Sequence, residues 1–187
     1  MNFDDSVHLQ LEALNLESKS RLRVSMVCLG NICRSPMAAA VLNNRAHEVK
    51  PVELVVDSAG TGSWHVGEGP NFSSEATWRK AGYEYEHIAQ QFTEEFFPSR
   101  DLILVMDSSN YRDVLKLAPN LDLARKVFYL RQFDPTLCHI NPKSEQAKGL
   151  EVPDPYGLVE RAFEKVLEMV KDSVEGLLQV IKSKVGA

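Results

Sequence analysis

The sequence predicts an α/β fold of three layers, in which a four-stranded parallel sheet is flanked by helices on both faces. Two observations support this prediction. Four short apolar runs recur along the chain, and segments with helical signals lie between and after them. Strands that alternate with helices form parallel sheets through right-handed crossovers, which place helices on both faces of the sheet.

The four apolar runs are the predicted strands. Each run is short and nearly continuous, as expected of a parallel strand that is buried on both faces. In chain order, the runs cover residues 23–28, 54–56, 102–106 and 126–130.

Three predicted helices lie between the runs and are marked by capping residues. A proline stands at the first position of the first helix, where its missing N–H costs nothing. The other two open with a serine, and a glycine or a proline follows them. These helices cover about residues 36–46, 73–81 and 108–117.

The last helix has the clearest pattern. Its apolar residues recur at three- and four-residue steps, and Glu and Lys fill the opposite face. One glycine precedes the segment and another follows it. The apolar residues are Phe163, Val166, Leu167, Val170, Val174, Leu177, Leu178, Ile181 and Val185.

Length and composition indicate one globular domain. The chain has 187 residues, of which 44% are hydrophobic and 25% charged. The net charge of −5 argues against a general nucleic-acid binder, although a small pocket can still be locally positive. No apolar stretch is long enough to span a membrane, and the N-terminus does not resemble a secretory signal. The three cysteines are too few for a disulfide scaffold, so we expect free thiols and a cytoplasmic protein.

Two segments depart from the alternating pattern. Residues 1–21 precede the first strand and are treated as an N-terminal extension to a domain at 22–187. Val7, Leu11 and Leu14 have helical spacing, so this extension is either a short helix or a disordered tail. Residues 132–156 contain four prolines. A connection of that length is more often functional than idle. The oligomeric state is not predicted.

The first apolar run leads into a loop that consists of a cysteine, five residues and an arginine. The backbone N–H groups of such a loop can converge on one anion, and the helix that follows adds its positive N-terminal end. Arg34 can bind two phosphate oxygens with its planar guanidinium. Cys28 lies beneath the anion, and the same positive field favours its thiolate form. The five residues that line the predicted site between them are Leu29, Gly30, Asn31, Ile32 and Cys33.

The context of this loop distinguishes it from a chance pairing of Cys and Arg. A strand precedes it, Ser35-Pro36 opens a helix after it, and Gly30 and Asn31 are residue types that tolerate left-handed backbone. The alternative is an inert buried thiol at the end of a strand. A zinc site is disfavoured, because no second Cys/His pair has ligand spacing. The sequence therefore predicts a phosphate-binding loop with a cysteine nucleophile.

The string from Cys28 to Pro36 resembles the signature loop of the low-molecular-weight protein tyrosine phosphatases. The resemblance continues in family order and covers about residues 23–184. It implies a four-stranded parallel sheet with flanking helices, a reaction without a metal or another cofactor, and a long loop that brings an acid to the pocket. The further matching strings are Asp57-Ser58-Ala59-Gly60-Thr61, Trp64-His65-Val66-Gly67, Met106-Asp107 with Asn110, and Asp154-Pro155-Tyr156-Gly157.

The resemblance implies that Asp154 is the general acid and later the general base. Chemistry agrees, since cleavage of a phosphotyrosine expels a tyrosinate whose conjugate acid has a pKa of ~10, and a proton must be supplied. Pro153 and Pro155 stiffen the backbone on either side of this carboxylate. Taken alone, the same segment reads as an Asx turn in a proline-rich loop.

The resemblance also assigns supporting roles. Its hydrogen-bonding positions, which hold the loop open for phosphate, are Asn31, Ser35, Ser58 and His87, and Ser35 further stabilises the thiolate. Its aromatic positions, which enclose the substrate ring, are Trp64 and Tyr156. Asp107 is expected to cap a helix. Departures from the family pattern bear on substrate preference, and they include Ala39, Asn71-Phe72 and Gln90.

These features favour a phosphatase that acts on a phosphotyrosine-containing protein or a small aryl phosphate. Arsenate reductases share the loop but relay a disulfide through further cysteines, whereas here the only additional thiol is Cys138. Protein arginine phosphatases carry Thr at the position of Ile32. A third alternative is a phosphate-binding, redox-sensing module that is not an enzyme. Cys33 lies five residues after Cys28 in a curled loop, so the two sulfurs could approach disulfide distance, and Cys33 could trap oxidised Cys28.

Overall fold

Four parallel strands form one sheet in the order β2-β1-β3-β4 in the computed structural model, which describes residues 1–186. Each predicted run overlaps one strand, so the predicted fold class is confirmed. Strand β2 is longer than its apolar run, because it continues through Asp57 and Ser58 to Gly60. The strands are β1 (Arg21–Cys28), β2 (Glu53–Gly60), β3 (Leu102–Val105) and β4 (Val127–Tyr129).

Seven α-helices accompany the sheet within residues 1–186. None of these helices combines the length and the apolar character that crossing a membrane requires. The helices are α1 (Asp5–Glu12), α2 (Arg34–Asn44), α3 (Phe72–Lys80), α4 (Phe96–Ser99), α5 (Ser108–Lys116), α6 (Leu121–Ala124) and α7 (Glu160–Val185).

Two helix starts differ from the prediction. Helix α2 begins at Arg34, so Pro36 is its third residue rather than its first. This position is still in the first turn, where no intrahelical N–H is needed. Helix α3 begins at Phe72, because the side chain of Asn71 caps it by accepting from the N–H of Ser74. The predicted cap, Ser73, is therefore inside the helix.

The hydrophobic core lies on both faces of the sheet. On one face, Met26 of β1 packs with residues of α2, α3 and α7, including the fully buried Trp78. On the other face, Val27 and Ile103 pack with Phe97 of α4 and Val114 of α5. Neighbouring residues of β1 thus enter different clusters, as expected of a strand covered on both sides.

The N-terminal segment contains a helix rather than a disordered tail. Val7 and Leu11 of α1 are buried against the core cluster of α2 and α7. The side chain of Gln10 donates hydrogen bonds to the carbonyls of Arg125 and Val127, at 2.8 and 2.9 Å. Phe3 packs edge-on against Phe133. The segment thereby covers the edge of the sheet at β4.

Candidate active site

The phosphate loop begins where the central strand β1 ends. Cys28 is the last residue of β1, and Arg34 is the first residue of α2. The N–H groups in the first turn of α2 have no partner within the helix, and they carry its positive end. An anion between these two elements would therefore meet both the loop backbone and the helix N-terminus.

Asn31 is the residue of the loop that takes the left-handed conformation, with φ of 55°. Asn is among the few non-glycine residues that adopt this conformation readily. Gly30, the other residue of the loop that tolerates left-handed backbone, does not have a positive φ. The absence of a side chain at Gly30 has another use, since a Cβ there would lie 3.1 Å from Cδ2 of His65.

The side chain of Asn31 ties the loop to strand β2. Its Nδ2 donates to Ser35 Oγ and to Ser58 Oγ, both at 2.9 Å. Its Oδ1 accepts from the backbone N–H of Gln90 at 2.9 Å. The amide is buried, and its hydrogen bonds stabilise the loop in one shape.

His87 supports the same residue from the other side. Its Nε2 lies 2.6 Å from the carbonyl oxygen of Asn31, so this nitrogen carries the proton and donates. Burial lowers the pKa of His87 below its ordinary value of 6.5, and the hydrogen bond to Asn31 only partly offsets this effect. The imidazole is therefore neutral at pH 7. The structure thus brings the other three supporting residues that the resemblance assigns, Ser35, Ser58 and His87, together around Asn31.

The thiol of Cys28 lies within this network. Its Sγ is 3.0 Å from Ser35 Oγ and accepts from the N–H of Asn31 at 3.3 Å. Cys28 is 2% exposed, so only its access to the adjoining cavity connects it with a substrate. The sulfur thus has a hydroxyl and a backbone N–H of the loop as its hydrogen-bonding neighbours.

Arg34 is held by two carboxylates and one carbonyl. Its Nη1 donates to Asp107 Oδ2 at 2.6 Å and to the carbonyl of Val152 at 3.1 Å, and its Nη2 donates to Asp154 Oδ2 at 2.7 Å. The guanidinium is only 3% exposed. Burial alone would lower the pKa of Arg34, but the nearby negative charges of Cys28, Asp154 and Asp107 outweigh it and raise the pKa above the ordinary value.

Asp107 has two functions that the sequence did not reveal together. It caps α5 as predicted, by accepting from the N–H of Asn110 at 2.7 Å. Its other oxygen fixes Arg34. Since one carboxylate binds both the helix and the guanidinium, Asp107 sets the position of Arg34 relative to the sheet.

The acid loop meets the phosphate loop at Asp154. The N–H of Val152 donates to the carbonyl of Met106 at 2.7 Å, which anchors the loop at the end of β3. Two residues later, the side chain of Asp154 is 44% exposed and bonded to Arg34. Its other oxygen accepts from the N–H of Tyr156, which forms an Asx turn. Asp154 therefore both makes this turn and lies at the site.

These elements enclose a cavity of about 200 Å³. Trp64 and Tyr156 form part of its wall and are 70% and 61% exposed. That they enclose the ring of a substrate, as the resemblance implies, stays a prediction. The lining residues are Cys28, Leu29, Gly30, Ile32, Cys33, Arg34, Trp64, His65, Asp154 and Tyr156. Within residues 1–186, no group of three or more His, Cys, Asp or Glu side chains is arranged to hold a metal ion.

Two residues of the site were not selected from the sequence. His65 lines the cavity, and its Nδ1 lies 2.7 Å from Glu68 Oε2. It belongs to the string Trp64-His65-Val66-Gly67 that matches the family, and this match is the sequence signal that could have identified it. Gln90 donates from its side chain to the carbonyl of Ser58 at 2.9 Å, in addition to its backbone bond to Asn31. In the sequence it is recognisable only as a departure from the family pattern.

Cys33 lies in the cavity wall and remains a thiol. Its burial, together with the negative charges of Cys28 and Asp154, raises its pKa to about 12. The carbonyl of Cys33 accepts from Ser74 Oγ at 2.8 Å, which links the loop to α3. All three cysteines of the chain are unpaired.

Comparisons with known proteins give the family of the chain. A family profile described as low molecular weight phosphotyrosine protein phosphatase matches residues 23–187. A low molecular weight protein-tyrosine-phosphatase of Streptomyces coelicolor is 42% identical over 164 residues, which is 87% of this chain and 95% of that protein. A low molecular weight phosphotyrosine protein phosphatase of Gallus gallus is 36% identical over 147 residues, which is 78% of this chain and 86% of that protein.

Solved structures extend the comparison to the fold. A protein tyrosine phosphatase from Entamoeba histolytica, with Hepes in the active site, superposes with a TM-score of 0.74 at 32% identity, over 87% of this chain and 96% of that chain. An arginine phosphatase from Geobacillus stearothermophilus superposes with a TM-score of 0.72, over 87% of this chain and 94% of that chain. Its sequence identity is 23%, so this likeness concerns the fold alone. The chain belongs to the low molecular weight phosphotyrosine protein phosphatase family.

Proposed function

We propose that this protein hydrolyses phosphotyrosine in proteins, and small aryl phosphates, through a phosphocysteine intermediate on Cys28. One observation carries the proposal: Cys28, Arg34 and Asp154 line the same cavity of about 200 Å³. A nucleophile, a fixed cation and an acid within one small space are the groups that transfer of a phosphoryl group requires.

In the first step, the Cys28 thiolate attacks phosphorus. The S–P bond forms while the bond from phosphorus to the tyrosine oxygen breaks. A protonated Asp154 gives its proton to the leaving oxygen, which departs as neutral tyrosine. Arg34 and the backbone N–H groups of the loop stabilise the equatorial oxygens, where negative charge is spread in the transition state.

In the second step, water attacks phosphorus and the S–P bond breaks. Asp154, now a carboxylate, accepts a proton from the water, and phosphate leaves with its oxygen. The Cys28 thiolate is restored, and Ser35 donates to it from 3.0 Å. Atoms and charges balance over the two steps without a redox change.

The contacts of Arg34 suit this cycle. Its Nη1 is held by Asp107 throughout, while its Nη2 bonds to Asp154 at 2.7 Å. A phosphate oxygen competes for Nη2, and binding would release the carboxylate of Asp154 toward the leaving oxygen. Asp107 thus acts as a positioning residue that keeps Arg34 in place when its other partner changes.

Phosphoarginine is the second candidate substrate, because the fold is shared with an arginine phosphatase. The residues of the cavity favour phosphotyrosine. Ile32 lies in the wall beside the loop and is 9% exposed, so it offers an apolar contact to an aryl ring and no hydrogen bond to a guanidinium. Trp64 and Tyr156 add flat aromatic surfaces at the mouth.

Arsenate reduction and redox control would each require a thiol in addition to Cys28. Cys138 Sγ donates to the carbonyl of Asn2 at 3.4 Å, among the contacts of the N-terminal segment, and does not line the cavity. This position disfavours a three-cysteine relay. Cys33 lines the cavity with Cys28, so we propose that it traps an oxidised Cys28 as a disulfide. Free thiols of this kind suit the reducing cytoplasm.

One experiment separates these functions. Purified protein is assayed with phosphotyrosine peptide, phosphoarginine and phenyl phosphate in the presence of excess EDTA, and with arsenate in a thioredoxin-coupled assay. We expect hydrolysis of the two aryl esters with a kcat/KM well above that for phosphoarginine, and no arsenate reduction. Arsenate reduction without ester hydrolysis, or loss of hydrolysis under chelation, would contradict the proposal.

A further inference from the structure

Exposed apolar side chains lie at the mouth of the cavity and in the chain segments that adjoin its wall. Trp64 and Tyr156 belong to its lining, and each is more than half exposed. Phe72 is 83% exposed, and Leu158 and Val159 directly follow the acid loop and are 60% and 76% exposed. We call these five residues the apolar rim.

Hydrogen bonds place Phe72 beside the cavity wall. The N–H of Asn71 donates to the carbonyl of Ile32, and Ser74 Oγ donates to the carbonyl of Cys33, both at 2.8 Å. Ile32 and Cys33 line the cavity. Phe72 lies in the sequence between these two contacts, so its backbone is held against the loop segment that forms this part of the cavity wall.

The rim differs from an ordinary exposed apolar residue. Single apolar side chains on a surface are common and need no explanation. Leu121 of α6 is an example, since it is 82% exposed and α6 packs on the opposite face of the sheet. Several such residues grouped at one cavity mouth mark a binding surface.

We propose that the apolar rim, with Phe72 as its outer anchor, binds an apolar side chain of the polypeptide that carries the phosphotyrosine. This inference rests on the proposed function. Trp64 and Tyr156 belong both to the rim and to the cavity, so a chain whose phosphotyrosine enters must pass over at least this part of the rim. An extended chain advances about 3.4 Å per residue, and residues two or three positions from the phosphotyrosine therefore cover roughly 7–10 Å around the mouth.

The charged side chains next to the rim bear on which substrate residue is preferred beside the phosphotyrosine. Glu75 lies one helical turn after Phe72 and pairs with Arg79, and Glu160 follows Val159 and pairs with Lys80. Arg79 and Lys80 are already paired with these carboxylates, so an acidic substrate residue over the rim would have to compete for the two cations while covering an aromatic ring. An apolar residue avoids both costs. The preferred substrates are therefore proteins whose phosphotyrosine has an apolar, rather than an acidic, neighbour.

The test uses phosphotyrosine peptides in which one residue within three positions of the phosphotyrosine is Leu, Ser or Glu. We expect the wild-type protein to prefer Leu over Glu at one or more positions by roughly 5- to 10-fold in kcat/KM, the scale of a partly buried Leu side chain. In Phe72→Ser, the peptide preference should fall below about 2-fold. The matched control is Leu121→Ser, which should keep the wild-type preference.

A charge variant sharpens the test. Phe72→Arg should shift the preference toward the Glu peptide. An absence of flank preference in wild type, or an equal fall for peptides and phenyl phosphate in Phe72→Ser, would overturn the inference. So would a concentration-dependent dimer that Phe72→Ser abolishes without a change in preference, since the rim would then bind a second copy.

Failure of the proposed function is recognised separately. The affinities of Cys28→Ser for the same peptides report the flank preference without turnover. Hydrolysis without a flank preference refutes the rim alone. A flank preference in binding, combined with no hydrolysis of any phosphate ester by wild type, refutes the catalytic proposal and supports the rim.

Discussion

The phosphate loop and the acid loop form one cavity but are held in different ways. The phosphate loop is buried, and its shape depends on the side chain of Asn31, which bonds to neighbours on two elements. The acid loop is anchored at Val152, but Asp154 is 44% exposed and reaches the cavity through one bond to Arg34. The nucleophile is thus preorganised, whereas the acid lies where it can change partners.

The largest effect is expected at the centre of the phosphate loop. In Cys28→Ser, hydrolysis should fall on the order of 10⁵-fold or more, because a serine hydroxyl is not ionised by this field. Phosphate should still bind within a few-fold, since Arg34 and the loop N–H groups remain. Turnover of phenyl phosphate and calorimetric titration with phosphate measure the two properties.

The control for this variant is Cys138→Ser, which removes a thiol outside the cavity and should retain activity. Loss of phosphate binding in Cys28→Ser would mean that the thiolate itself shapes the loop. The contrast between a rigid binding loop and an adjustable acid loop would then be wrong.

Asp154→Ala tests the acid loop. We expect hydrolysis of phenyl phosphate to slow roughly 10²–10⁴-fold, because its leaving group needs a proton. The loss for 4-nitrophenyl phosphate should be much smaller, because nitrophenolate departs without one. Asp113→Ala, on the surface of α5, is the matched control and should affect neither ester. Equal losses for both esters would remove Asp154 from the acid role.

Ile32→Thr tests whether the wall of the phosphate loop selects the substrate. The two side chains are similar in size, so the loop should keep its shape. We expect the ratio of kcat/KM for phosphotyrosine over phosphoarginine to fall by roughly 5- to 150-fold, the range of one pocket contact. Both substrates are measured with both proteins in one buffer. A wild type that already prefers phosphoarginine would overturn the assignment, and an unchanged ratio would place selectivity at the mouth.

Cys33→Ser separates redox protection from packing. With its pKa raised to about 12, Cys33 stays a neutral thiol while Cys28 is oxidised first. After peroxide treatment, dithiothreitol should restore the wild type more completely than Cys33→Ser, by roughly 2- to 5-fold in recovered activity. Recovery is compared after inactivation to the same residual activity. If both proteins recover equally, Cys33 only fills space in the loop.

The smallest effect concerns the neutral His87 that supports the loop. Since its pKa is lowered from 6.5 in the folded protein, the unfolded chain binds a proton more readily. Its contribution to stability is therefore complete above about pH 6.5 and is lost as the pH falls through the lower folded pKa. The decrease of Tm between pH 7 and pH 5 should be shallower in His87→Gln than in wild type. The matched control is His139→Gln, at an exposed histidine, measured over the same pH range.

Local patterns were sufficient for the sheet and for the phosphate loop. The apolar runs gave the strands, because burial on both faces requires continuous apolar sequence. The cysteine, the arginine and the glycine and asparagine between them are adjacent in sequence, so their chemistry could be recognised without a structure. The start of α2 was missed by two residues, because a proline is accepted anywhere in the first turn.

The tertiary structure decided which distant residues meet this loop. Asp107 and Asp154 reach Arg34 from the ends of two other segments, and Gln90 bonds to both Asn31 and Ser58. Neither the spacing of these residues nor their type distinguishes them from caps and turns on the surface. Their functions depend on how strands and loops converge at one edge of the sheet, and that convergence is a property of the folded chain rather than of any single segment.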